Sequence, residues 1–347
     1  MIRIGVIGYG YWGPNVVRNL YNLDGCRVAS VCDRSAAALT RVRRAYPDLA
    51  VTDNATELLT SPKIDAIAVV TPVHTHFELA KAALENGKHV FVEKPFTATT
   101  AEAEELIDLA ERRNLRIMVD HTFLFTGAVK KIRELIDERV LGDLYYYDST
   151  RVNLGLFQHD VSVIWDLAPH DLSIMDFLIR EKPQGVVATG EAHFNGRADV
   201  AFITIYFPGK TIAHINVNWL SPVKVRTTLI GGEKRMLVWN DLEADEKIRV
   251  YDKGLQVDPG NGHADREGNG DAASKGLYEL LVSYRSGDMW APRLDRAEAL
   301  TVELAYFIDC VTNSKTPVND GVAGARIVRM LEAADRSLRE RGKEIPL

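Results

Sequence analysis

The first 120 residues alternate between two hydrophobic periods. Short apolar runs at residues 2–7, 27–32, 65–70, 88–92 and 116–119, with a brief one near Val51, read as buried strands. Between them, residues 15–21, 77–85 and 100–113 carry apolar side chains at helical spacing, the last opened by Thr99 or Thr100 as a cap. Strands alternating with helices predict a doubly wound parallel sheet in an α/β chain, and one such domain accounts for residues 1–124.

Beyond Gly127 the pattern changes. A helix pattern over 128–138, a strand over 143–152 and a helix over 165–179 lead into successive alternating segments at 186–194, 200–207, 211–218, 225–230, 235–239 and 247–251. Strands that follow one another without helices predict an α+β domain over residues 125–347, with a large, mostly antiparallel open sheet. Residues 254–276, rich in Gly, Asp and Asn, read as a surface loop, and helix patterns return at 277–284, 296–311 and 321–341. An open sheet with helices on one face leaves its other face to be covered. Trp219, Trp239, Tyr206 and Phe207 are expected there, packing a homodimer or homotetramer sheet to sheet.

Composition narrows the classes. The 347 residues suit two domains, and 46% apolar with 26% charged residues is ordinary for a globular chain. A net charge of -6, from 48 acids against 42 Lys plus Arg, gives no polyanion-binding signature, so nucleic acid is not an expected partner. No apolar run is long enough to span a membrane and no leader pattern precedes the first strand; the expectation is a cytoplasmic protein. Cys26, Cys32 and Cys310 are expected as buried free thiols, the first two on one face of the second strand.

The junction of the first strand with the first helix carries chemistry. Gly8, Gly10 and Gly13 stand in a Gly-x-Gly-x-x-Gly loop around Tyr11 and Trp12, and Asp33 closes the second strand twenty residues after Gly13. In a dinucleotide (Rossmann) site the first glycine permits the tight turn, the second lets a pyrophosphate approach the backbone, and the third lets the helix lie close. Asp33 accepts from ribose hydroxyls and repels a 2'-phosphate, which favours NAD; the adjacent Arg34 leaves NADP as the alternative. At the same carboxyl edge, Thr71, Pro72, His74 and His76 end one strand, Glu93, Lys94 and Pro95 the next, and His121 and Phe123 the last. His74 and His76 lack a third convergent ligand, so no metal site is expected.

These elements, with Trp165-Asp166-Leu167-Ala168-Pro169-His170-Asp171, resemble the glucose-fructose oxidoreductase / inositol dehydrogenase / rhizopine catabolism (Gfo/Idh/MocA) family over the whole chain. The resemblance implies a catalytic trio of Lys94, Asp166 and His170, a cis Lys94-Pro95 bond, and a 71–76 turn that caps nicotinamide. It further implies that the segment at His121 meets cofactor and substrate. Asp166 and His170, at i and i+4, share one helix face, with Asp166 expected to orient the histidine. Hydride removal from an alcohol needs a group to take the hydroxyl proton, which suits His170, and a cation beside the developing alkoxide, which suits Lys94; burial beside oxidised nicotinamide would depress the pKa of Lys94 and let it share or take over the base role. Arg151, Asn153, Gln158 and Trp165 complete the expected substrate contacts. Many family members carry a Gly-Gly run before the aspartate; here Val161-Ser162-Val163-Ile164-Trp165 fills that place and reshapes the sugar pocket.

The expected activity is NAD-dependent interconversion of a secondary hydroxyl and a ketone on a sugar, foremost a nucleotide-activated one. The alternatives are an NADPH ketoreductase of deoxysugar biosynthesis, a cyclitol dehydrogenase, an NAD-using glycosidase, or a non-enzymatic dinucleotide-sensing regulator.

Overall fold

The computed structural model describes residues 1–155, 161–257 and 282–347. The first sheet is six-stranded and parallel: β1 (Ile2–Ile7), β2 (Cys26–Cys32), β3 (Ala50–Thr52), β4 (Ala66–Val69), β5 (His89–Glu93) and β6 (Ile117–Asp120), in the order β3-β2-β1-β4-β5-β6. The chain order reverses between β1 and β4, which opens a crevice at their carboxyl ends. Helices α1 (Gly13–Tyr21), α2 (Ala36–Ala45), α3 (Ala55–Thr60), α4 (His76–Glu85) and α5 (Thr100–Arg112) make the crossovers. A capping box at Thr99, answered by Glu102, starts α5.

Helix α6 (Gly127–Asp137) leads into β7 (Leu144–Val152), and α7 (Val163–Leu178) follows. Then come β8 (Gly185–Glu191), β9 (Val200–Tyr206), β10 (Ile212–Asn218), β11 (Val225–Gly232), β12 (Met236–Asn240), β13 (Ile248–Val257) and β14 (Val282–Trp290). With the short β15 (Ile345–Pro346) they form a nine-stranded sheet, β14-β13-β12-β11-β7-β10-β9-β8-β15, in which β7 and β10 run parallel and the other described pairs antiparallel.

The final helices, α8 (Ala299–Thr312) and α9 (Gly321–Arg339), join the two sheets. Helix α8 lies on the first domain: Thr301 hydrogen-bonds Asn19, and the rings of Phe91 and Phe307 meet at 5.7 Å. A Cβ on Gly324 of α9 would stand 2.7 Å from Val119 of β6, so only glycine permits this approach; farther along α9, the Ser337 hydroxyl accepts from the Ala188 N–H of β8 at 2.8 Å. One continuous core results, spanning both sheets.

Four expectations need correction. Residues 282–284, expected in a helix, lie in β14, and 254–257, expected in a loop, lie in β13, because Leu255 pairs with Tyr284 and Gly254 with Arg285 across the ladder; the remainder of that loop and helix lies outside the described residues. Trp219, Trp239 and Phe207 are 1%, 2% and 5% exposed on the inner face, and only Tyr206, at 39%, stands on the outer one. Exposed Phe202 and Ile212 accompany it. Cys26 and Cys32, both buried free thiols, belong to the cores on opposite sides of the first sheet. The reason is a register shift between Ile4 and Gly5, where Val28 and Ser30 become successive partners and the inside-outside alternation of β2 flips.

Candidate active site

The three glycines do different work. Gly8 has φ +104° and an added Cβ would lie 2.0 Å from the Val70 carbonyl; at Gly13 it would lie 2.5 Å from the Gly8 carbonyl. At Gly10 it would meet nothing within 4 Å, so its backbone faces open space where a pyrophosphate would lie. Asp33 is set by two loop amides, accepting from Tyr9 N–H at 2.6 Å and Ser35 N–H at 2.7 Å, with exposed Arg34 beside it. Tyr11 is 85% exposed, whereas the Trp12 indole donates to Asp120 at 2.8 Å and ties the glycine loop to β6. This cradle fits a dinucleotide: open backbone at the helix start, an acid at the ribose position, and no side chain in the way.

The neighbouring strand ends are locked together. The buried His76 ring reaches the carbonyls of Thr71 at 2.6 Å and Pro95 at 2.9 Å, while the hydroxyls of Thr71 and Thr75 bond each other. His76 thus fixes two cofactor-edge loops against each other, its own nitrogens turned into the protein; Pro72 and His74 remain exposed. The Lys94-Pro95 bond is cis. Glu93 pairs in register with Asp120, and burial first, then the Asp120 charge, pushes its pKa well above the usual carboxyl range.

Lys94 crosses to the second domain. Pro169 lies inside the helix that carries Asp166 and His170 and has no N–H to donate within it. Lys94 Nζ donates to the Asp166 carbonyl at 2.8 Å and stands 3.6 Å from its carboxylate, whose other oxygen accepts from the Trp219 indole at 3.2 Å. Asp166 is therefore occupied by Lys94 and Trp219. Among the described residues no hydrogen bond joins it to His170, and the expected orienting role falls away. The His170 ring is instead held edge-on to Phe123, centroids 5.0 Å apart, with Nδ1 buried and without a partner. Burial first, then the charges of Lys94, Arg151 and Arg226, holds the pKa of His170 well below that of an ordinary histidine.

Arg151 points from the inner face of β7 into this centre. It is 4% exposed and grips Asp171, 2% exposed, through Nε at 2.6 Å and Nη2 at 3.2 Å; Ser149 donates to the same carboxylate at 2.7 Å. Its guanidinium lies 4.5 Å above the Phe123 ring. Directly across in β11 stands Arg226, 5.6 Å from the same ring. Neither Asp171 nor Arg226 was among the expected substrate contacts. The signals were the acid that follows His170 in sequence and a charge embedded in a strand pattern. His121 is buried with neither nitrogen bonded, its pKa pushed down to about 4 by burial.

The remaining candidates scatter. Trp165 donates to Asp335 of α9 at 2.8 Å and lines, with His74 and Ser162, a cavity of about 500 Å³. Asn153 follows β7 with its N–H on the Asn218 carbonyl at 3.0 Å. Gln158 lies outside the described residues.

Comparison with known proteins agrees with this geometry. Residues 2–121 match the model of the oxidoreductase family with an NAD-binding Rossmann fold, and residues 129–238 match the Gfo/Idh/MocA C-terminal domain. UDP-N-acetylglucosamine 3-dehydrogenase of Acidithiobacillus ferrooxidans is 26% identical over 94% of both chains, and myo-inositol 2-dehydrogenase of Thermotoga maritima 23% identical over 98% of this chain and 97% of its own. The crystal structure of the former superposes with TM-score 0.78 over 98% of both chains at 24% identity, which speaks to the fold. No helix among the described residues is long and apolar enough to cross a membrane. A glycine cradle with its ribose acid, a lysine after the fifth strand and an Asp/His helix across the crevice, matched along both domains, place this chain in the Gfo/Idh/MocA family of NAD-binding oxidoreductases.

Proposed function

We propose that the protein is a cytoplasmic NAD-dependent dehydrogenase that interconverts a secondary hydroxyl and a ketone on a nucleotide-activated sugar. The observation that carries this reading is the bond from Lys94, at the cofactor edge, to the Asp166 carbonyl, which brings His170 of the same helix face to the crevice. NAD held by the loop from Gly8 to Gly13, Asp33 and the strand ends at Thr71 and Lys94 would supply the hydride acceptor. The chain's own residues handle the proton and the charge. His170, kept neutral by burial and by the charges of Lys94, Arg151 and Arg226, is in its basic form at neutral pH and takes the hydroxyl proton. Lys94 places a cation beside the oxygen as negative charge grows on it, and Asp166, fixed by Trp219, holds Lys94 from the far side.

The relatives named for UDP-N-acetylglucosamine and for inositols both act on ring hydroxyls. Buried Arg151, packed on the same Phe123 ring as the imidazole, favours the charged member of that pair. The outer sheet face, with exposed Phe202, Tyr206 and Ile212, supports assembly of a homo-oligomer through that sheet. The test is reduction of NAD followed at the nicotinamide absorbance band with UDP-N-acetylglucosamine, N-acetylglucosamine and myo-inositol. The expected result is kcat/KM at least ~10-fold higher for the nucleotide sugar. Faster turnover of myo-inositol returns the enzyme to the cyclitol branch, and product formation without net NADH marks a glycosidase.

A further inference from the structure

We propose that Arg151 and Arg226 form a paired-guanidinium site for an anionic group carried by the substrate itself. The inference rests on the dehydrogenase reading above and specifies its substrate. The two arginines are cross-strand partners on the inner face of β7 and β11. Like charges directly opposite each other destabilise a sheet, so this pairing needs compensation. Asp171 supplies it for two nitrogens of Arg151, and Asp241 takes Arg226 Nη1 at 3.3 Å. The compensation is incomplete: Arg151 Nη1 is buried with no hydrogen-bond partner. An unmet buried donor costs about 1–3 kcal/mol, more when charged, and an incoming oxyanion removes that cost. Arg226 answers the same deficit, its pKa lowered by burial and by Arg151.

The position limits what the anion belongs to. Both guanidiniums lie over Phe123, at 4.5 and 5.6 Å from its centroid, and the His170 ring packs against the same ring in a T-shaped contact, centroids 5.0 Å apart. An oxyanion between the arginines and a hydroxyl at the imidazole therefore have Phe123 as their common neighbour, a separation that one sugar can bridge. Two groups fit this separation: a carboxylate on the sugar ring and the diphosphate of a nucleotide sugar. Both present oxygens that two planar guanidinium forks bind.

Arg226 is the residue to change, because Asp241 keeps Lys247 when it is lost, whereas removing Arg151 strands the buried Asp171. NAD-saturated protein would be titrated calorimetrically with uridine diphosphate, with glucuronate and with N-acetylglucosamine, as wild type, Arg226→Gln and Arg226→Lys. The site predicts a Kd at least ~10-fold weaker for one of the anions in Arg226→Gln, a smaller loss in Arg226→Lys, and N-acetylglucosamine binding and Tm unchanged. Loss confined to uridine diphosphate assigns the diphosphate, and loss confined to glucuronate assigns a uronic acid. Anion affinities that are unchanged in Arg226→Gln, or wild-type protein that binds neither anion, overturn the proposal. These titrations need no turnover, so a wild type that binds the anion yet reduces no NAD with any sugar defeats the dehydrogenase reading and leaves the site standing.

Discussion

The two sheets present their chemistry by different rules. The parallel sheet offers residues from loops at its carboxyl edge, where Gly10, Asp33, Thr71 and Lys94 stand within three residues of a strand end and depend on local backbone. The larger sheet offers residues from its face: Arg151 and Arg226 reach the centre because β7 and β11 pair in one register and one parity. An exposed edge residue such as Arg34 can be exchanged with little effect on folding, whereas a buried face residue such as Arg151 is part of the core. Two of the cations around His170, Arg151 and Arg226, come from this face; Arg151 is buried in its ion pair with Asp171, which is why its loss unsettles the protein, whereas Arg226 is only half-buried.

The sharpest test of that contrast is Arg151→Ala. Removing one member of a buried ion pair strands the other, so stability should fall by about 3–5 kcal/mol in urea unfolding. Arg34→Ala at the first edge, an exposed side chain, should stay within about 0.5 kcal/mol. Equal unfolding midpoints would erase the distinction. Loss of activity in Arg151→Ala therefore cannot by itself identify a substrate anchor.

A second test uses acid. His121 has a folded pKa near 4 against an ordinary 6.5, so between those values the unfolded chain binds the proton and the folded one does not. The stability this burial allows is full above pH 6.5 and drains as pH falls towards 4. The loss for this group is about 3 kcal/mol, and His170 shifts in the same sense. Glu93 and Glu303, with raised pKa values, run the other way, favouring the fold at low pH and losing that contribution as pH rises through their folded pKa values. His121→Asn should lose distinctly less stability than wild type between pH 7 and pH 4. Parallel curves for the two proteins would show that His121 is not held neutral.

The contrast also explains what could be read from the chain alone. The cofactor edge follows from spacing: a glycine loop, twenty residues, an acid. Each signal spans one turn or one strand, and a register error elsewhere does not disturb it. The sheet face is different. In Val225-Arg226-Thr227-Thr228-Leu229-Ile230 the apolar alternation points Val225 and Leu229 inward, yet the ladder with β7 turns Arg226, Thr228 and Ile230 to the inside. Only the pairing of strands 75 residues apart decides this. The bulge in β2 defeats the same alternation between Cys26 and Cys32. Trp219 and Trp239 read as an outer aromatic surface because no local pattern tells which face of the sheet is covered; Trp219 is buried with its indole on Asp166 of α7. Pairing also made a strand of residues 282–284, where the local pattern read as helical.

At the edge, Lys94→Ala should separate chemistry from folding. NAD affinity and Tm should be retained while kcat falls at least ~100-fold, the scale of losing a positioned charge or proton carrier. Near-normal kcat would hand both roles to His170. If Lys94→Ala instead lowers Tm substantially, its bond to the Asp166 carbonyl is a structural tie between domains, and the edge is less separable than the contrast holds.

The smallest expected effect concerns cofactor choice, where edge and fold meet in one carboxylate. Asp33 accepts from Tyr9 N–H and Ser35 N–H, so Asp33→Ala would loosen the glycine loop and change selectivity together. Asp33→Asn keeps an acceptor oxygen of the same shape and removes the charge that repels a 2'-phosphate. In that variant the preference for NAD over NADP should narrow by about tenfold, equivalent to about 1.4 kcal/mol, with little change in Tm. The measurement is a pair of Kd values, for NAD and NADP, on wild type and variant. A wild type that already binds NADP more tightly assigns control to Arg34, whose exposed guanidinium then grips the phosphate, and Arg34→Ala should reverse that order. If neither substitution moves the ratio, selectivity is set by the shape of the loop between Gly8 and Gly13, and the spacing that made Asp33 legible marks a structural acid rather than a discriminating one.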